Sequence, residues 1–196
     1  TRHLRERGAM RVGIFSGSAA PSSPQAQLDQ VLAAPPMAGA RLAPEVSTEA
    51  AYVVAPQGTK RFRVAAIDLG IKAMTPALMA QRGIEVHVLP ATSSFADIEA
   101  IAPDGVFFSN GPGDPATADH EVGLLRQVLD EAPELRVIVF TAYDPVSHKE
   151  RALALGASGY VAKDSRPAEI LDAIHQSMLR PVQKRAASAE GEPHTQ

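Results

Sequence analysis

Apolar and polar residues change rhythm at Arg61. Beyond that point, apolar runs of strand length recur at Phe62–Ile67, Glu85–Leu89, Gly105–Phe108, Arg136–Phe140 and Gly159–Val161. Segments of helical period fit between and after them, at Thr75–Arg82, Phe95–Ile101, Thr117–Ala132, Pro145–Leu155 and Pro167–Leu179. The punctuation agrees with this division. Asp114-Pro115 and Asp144-Pro145 each set a capping carboxylate before a first-turn proline. Gly83 and Gly156 stand where a helix terminus turns left-handed. In the third helix Val122, Leu125, Val128 and Leu129 form one stripe, with Glu121, Arg126 and Asp130 away from it. Strand–helix units in regular succession predict an α/β fold with five parallel strands and helices on both faces.

Residues 1–60 follow no such rhythm. A basic helix around Arg2–Arg7 is predicted to lead through Gly8 into the apolar run Met10–Phe15. The turn-rich stretch Gly17–Pro24 follows, then a short helix over Gln25–Ala34 stopped by Pro35 and Pro36. These small apolar patches cannot build a core, so the block should lean on residues 61–180. The opening TRHLRERGAM reads as the middle of a helix, the expectation for a fragment. Residues 181–196 are polar and rich in small residues, which predicts a disordered tail.

Composition narrows the chemistry. The chain has 196 residues, 45% apolar and 21% charged, with a net charge of −3. That is ordinary for a folded domain and gives no general attraction to nucleic acid or membrane. No run of eighteen apolar residues or signal segment is present, and the expected location is cytoplasmic. Arg2, Arg5 and Arg7 make a small basic face, read as solvated. No pair of histidines has metal-ligand spacing with a third partner, so no metal and no cofactor is expected. His87 should lie in or beside the core; His3, His120 and His194 should face solvent. There is no cysteine, which excludes disulfides, thiolate metal sites and a thiol nucleophile.

Two segments carry specific family patterns. Asp68-Leu69-Gly70-Ile71-Lys72, Ser109-Asn110-Gly111-Pro112-Gly113-Asp114-Pro115 and the upstream GAMRVGIF and APEVSTEAAYVVAP resemble the small chain of carbamoyl-phosphate synthase, a class I glutamine amidotransferase, over about 1–122. The resemblance makes residues 1–60 a remnant of the small chain's N-terminal domain. It also implies that Gly111 and Gly113 are glutamine contacts. Read without it, the glycines could equally serve a tight strand-to-helix turn. The family's chemistry needs a cysteine after the next strand, with a downstream histidine and acid. Thr141 stands about there, without a base or elbow glycines. Ala73-Met74-Thr75 replaces the usual polar continuation of the first signature, and the family's upstream glutamine-holding serine is absent. The glutamine site is therefore vestigial, and no glutaminase activity is expected.

The segment VIVFTAYDPVSHKERALALGASGYVAKDSRPAEILDAIHQ resembles the second half of a response-regulator receiver domain, over about 124–180. It supplies the switch threonine Thr141, the aromatic Tyr160 and the lysine Lys163. Ser109 falls at the phospho-acceptor position, where an acyl phosphate would need a carboxylate. Asp68 alone remains of the acidic cluster, and Lys163 is expected to pair with it.

Together these resemblances imply a hybrid folded as one flavodoxin-like sandwich over 61–180, with a partial N-terminal appendage. Its glutaminase-like part would cover 61–122 and its receiver-like part 124–180. The ancestral partner would be a synthetase large chain. The alternative is a receiver-like interaction module acting without phosphorylation. In that case Leu153, Leu155, Ile170 and Ile174 would mostly serve the core, while neighbouring positions could support a homodimer.

Overall fold

The computed structural model of the chain describes residues 10–18, 20–132, 136–141, 146–154, 157–162, 165–166, 169, 172–173 and 176. The predicted helix at Arg2–Arg7, the glycine at 156, Lys163 and the tail 181–196 lie outside the described residues. So does most of the predicted last helix. The chain divides into two compact units, Thr1–Leu124 and Leu125–Gln196.

The first unit is built on a four-stranded sheet in the order β1-β3-β2-β4. Strand β2 (Phe62–Asp68) runs parallel to β3 (Ile84–Pro90) on one side and to β4 (Gly105–Phe108) on the other. A strand flanked on both edges should read as a continuous apolar run, and VAAI does. Ala65, Ala66 and Ile67 are wholly buried. Val86 and Val88 of β3 join Ala66 in the core, with Val54, Ile71, Met79, Ile84 and Phe107 packed around them.

Helices connect these strands as the pattern predicts. The first of them, Met74–Ala80, packs on β3, and its chain then reverses at Gly83, whose φ is +78°. Phe95–Glu99 carries a reciprocal cap. Ser94 accepts from the Asp97 amide, and the Asp97 carboxylate accepts from the Ser94 amide.

The single five-stranded sheet is corrected in two respects. First, Tyr52–Val54 (β1), assigned to the appendage, pairs antiparallel with β3 in the register Tyr52↔Val88. A short Tyr-Val-Val run, blocked by no partner on that side of β3, completes the edge. Second, Ile138–Thr141 (β5) and Gly159–Ala162 (β6) pair in parallel with each other in a separate two-stranded sheet. The helix Val146–Ala154 links them as a β–α–β crossover and packs on β6.

The apolar run Met10–Phe15 has no regular secondary structure, and Ile14 is 94% exposed. Two local expectations also shift. The short helix falls at Pro24–Ala33 with Ser23 as its N-cap, and the Arg11 guanidinium donates to the Leu32 and Ala34 carbonyls at its end. Asp114 caps a 3₁₀ turn, Pro115–Thr117, and the following α-helix begins at Asp119 and ends at Glu131. On that helix the buried face is Glu121, Leu124 and Val128, while Val122 is exposed. Leu124 centres the face; the stripe read from sequence omitted it and came out rotated by about one residue.

Among the described residues no helix is long and apolar enough to cross a membrane.

Candidate functional site

The carboxyl ends of β2 and β4 bring two loops side by side, the position at which parallel α/β sheets place ligands. The β2 exit begins with Asp68, which is buried. One of its oxygens accepts from the amides of Gly70 (2.8 Å) and Ile71 (2.7 Å), and the other from the amide of Thr48 (2.9 Å). All three donors are backbone groups. Asp68 is thus an Asx-type clamp on its own turn that also fastens residues 47–48 from the N-terminal block. Lys163, the partner expected for Asp68, lies outside the described residues. Its charge has one further consequence: the Tyr52 hydroxyl titrates above its ordinary value, first because it is desolvated and second because Asp68 is near.

Ser109, at the β4 exit, is buried too. Its hydroxyl accepts from the Leu69 amide (2.9 Å) and donates to the Asn110 carbonyl (3.1 Å). It therefore stitches the two loops together. Asp68 and Ser109 stand at the ends of neighbouring strands, and each is occupied in loop architecture.

The glycine loop is shaped by residues 39–43 of the same chain. A Cβ on Gly113, whose φ is +101°, would lie 2.5 Å from the Ala40 carbonyl oxygen. One on Gly111 would lie 2.6 Å from the Leu69 carbonyl oxygen. Both positions need glycine because backbone comes that close. Asp114 completes the junction: its carboxylate accepts from the amides of Gly39 (2.8 Å) and Ala116 (2.9 Å), while its own amide donates to Ala40. Those two amides, Gly39 first, hold the Asp114 carboxyl below the usual range.

A cleft of about 160 Å³ opens between this segment and the start of the helix Asp119–Glu131. Leu42, Ala43, Leu69, Pro112, Pro115 and Ala118 give it apolar walls, with Gly111 and Gly113 between them. Its charged groups are Arg41, Asp114 and Glu121. Glu121 is 8% exposed, and its Oε2 has no hydrogen-bond partner among the described residues. Neither Arg41 nor Glu121 was a sequence candidate. A helical wheel centred on Leu124 would have turned Glu121 inward; nothing in the local pattern marks Arg41.

The other predicted residues belong to the second unit. Thr141 ends β5 opposite Ala162, and Tyr160 lies on β6 opposite Val139, half-buried. Of the five residues, Asp68 and Ser109 belong to the first unit and Thr141 and Tyr160 to neighbouring strands of the second, with Lys163 outside the described residues.

Of the histidines, His87 is half-buried and bonds Glu85 at 3.0 Å, in keeping with a place at the core edge. His120 is corrected: its ring bonds the Ser93 carbonyl at 3.2 Å and is half-buried. Among the described residues no group of three or more His, Asp or Glu could hold a metal.

Comparison with known proteins agrees with the glycine-loop signature. The class-I glutamine amidotransferase family matches residues 65–137. The carbamoyl phosphate synthase small chain of Streptomyces avermitilis is 53% identical over 185 residues, covering 94% of this chain and 44% of that protein. Its counterpart in Streptomyces coelicolor is 61% identical over 140 residues, 71% of this chain and 37% of its own length. That of Mycolicibacterium paratuberculosis is 53% identical over 139 residues, again 71% and 37%. The chain spans less than half the length of these relatives. It is similar to carbamoyl phosphate synthase small chains, and its residues 65–137 match the class-I glutamine amidotransferase family.

Proposed function

We propose that this chain is a small-chain-type amidotransferase scaffold that does not hydrolyse glutamine, and that a synthetase large chain is its ancestral partner. One observation carries the reading. At the end of β5, about where the resemblance puts the nucleophilic cysteine, stands Thr141, and the sequence contains no cysteine. A threonine hydroxyl needs an activating base to attack an amide, and the sequence offers no triad beside it. The close approach of Ala40 to Gly113 supports a structural use for the glycine loop, with the oxyanion-hole role vestigial. The test is direct. Incubated with glutamine, the protein should release no ammonia above the buffer control; glutamine-dependent ammonia would overturn the reading.

A second reading has its own support. The division of the chain after Leu124, and the parallel β–α–β arrangement of residues 138–162, favour a receiver-like module acting through contacts alone. Asp68 and Ser109 are committed to backbone partners, so phosphorylation should fail. Treatment with acetyl phosphate and magnesium should leave the intact mass unchanged. A stable gain of one phosphoryl group would show that an acceptor has been missed.

A further inference from the structure

We infer that the cleft beside the glycine loop is a binding site for a small primary ammonium ion, held by Glu121. The inference rests on the first unit alone and does not depend on whether glutamine is hydrolysed.

The reasoning starts from Glu121. A carboxylate oxygen buried without a donor is costly, and native proteins rarely leave one. Asp68 and Asp114, its acidic neighbours in the same unit, show the usual solution, with two or three backbone amides each. Glu121 Oε2 has none among the described residues, and the residue lines an open cleft. The vacant acceptor therefore points to a donor that enters from outside.

The rest of the lining selects which donor. The charged groups of the lining, Asp114 and Glu121 against Arg41, sum to one negative charge. The walls are apolar, and a volume of about 160 Å³ admits only a few heavy atoms. A short alkyl chain bearing –NH₃⁺ meets these conditions. Its N–H groups satisfy Oε2 in a charge-assisted bond, and its carbons cover Leu42, Ala118 and Pro115. A quaternary ammonium has the charge without the donor, and an alcohol has the donor without the charge.

The full chain, labelled with nitrogen-15, would be titrated with n-propylammonium, tetramethylammonium and propanol, following amide signals by NMR. Propylammonium should give saturable shifts at Gly111, Gly113 and Glu121, with the other two at least tenfold weaker. Glu121→Gln, of nearly the same shape, should weaken propylammonium at least tenfold while the rest of the spectrum stays dispersed. Ala118→Leu, which narrows the cleft and keeps the carboxylate, should also abolish the shifts, so the inference remains testable if the Gln variant folds poorly. Equal response to tetramethylammonium would mean unspecific ionic screening. That result, undiminished binding in both variants, or no saturable shift at all would overturn the assignment, the last leaving water as the partner of Glu121.

Discussion

Strands β2 and β5 look alike in sequence, each an apolar run closed by a polar residue, yet they live in different surroundings. β2 has a hydrogen-bonded neighbour on both sides, and its Ala65-Ala66-Ile67 centre is fully buried. β5 pairs with β6 alone among the described residues, and Phe140 is 48% exposed. The polar ends differ in the same way. Asp68 ties its loop to residues 47–48, while the glycine loop of β4 is locked against residues 39–43. The lesson is that the first unit draws its order from long-range backbone contacts to the N-terminal block. The described part of the second is a local β–α–β crossover.

The largest test of this contrast swaps a glycine in each unit. Gly113→Ala forces a side chain into φ +101° and onto the Ala40 carbonyl, and should cost about 2–4 kcal/mol. Gly159→Ala meets only ordinary contacts, the nearest Ile138 at 3.5 Å, and should change stability by less than about 1 kcal/mol. Urea unfolding followed by circular dichroism, with hydrogen exchange read separately over 62–68 and 138–141, distinguishes them. Similar losses at both positions would erase the comparison.

Asp68→Ala comes next. Three backbone amides lose their acceptor, a loss of about 2–3 kcal/mol, with faster exchange concentrated at 46–54 and 69–71. The milder Asp68→Asn removes the charge and should lower the Tyr52 pKa part of the way toward its ordinary value, desolvation keeping the remainder. An ultraviolet titration of tyrosinate reads this directly, and an unmoved Tyr52 would deny the proximity of the two groups.

The smallest effect concerns Glu85, which gathers His87, Arg63 and Lys60 on the surface of the sheet. Bonds from His87 first, and then from Arg63 and Lys60, hold its carboxyl down to about 2. A carboxylate whose folded pKa lies below the unfolded value of about 4.3 contributes stability above that value and loses it as pH falls toward 2. Glu85→Gln should therefore flatten the stability decline between pH 4.5 and 2 and change little in its shape at neutral pH. An acid limb as steep as that of the parent protein would remove Glu85 from the account.

Much of the architecture was legible because it rests on local rules. The strand runs, the turn at Gly83 and the crossover from β5 to β6 all follow from apolar period, proline and glycine within a few residues of each other. The glycine-loop signature was equally plain, since a family pattern needs no coordinates. Less was visible at the site, for a physical reason: a residue's partners there lie far along the chain. Asp68 read as the lone remnant of an acidic cluster because its donor at Thr48 is twenty residues away and carries no side-chain signal.

Sequence alone determined the alternation of strands and helices, the amidotransferase resemblance and the lack of a thiol. Those depend on residue type and spacing, which survive without a fold. Tertiary structure decided that Tyr52–Val54 closes the sheet, that the glycines meet their own chain, and that Glu121 turns inward with one oxygen unpaired among the described residues. These are facts about distance between backbones remote in sequence, and only packing sets such distances.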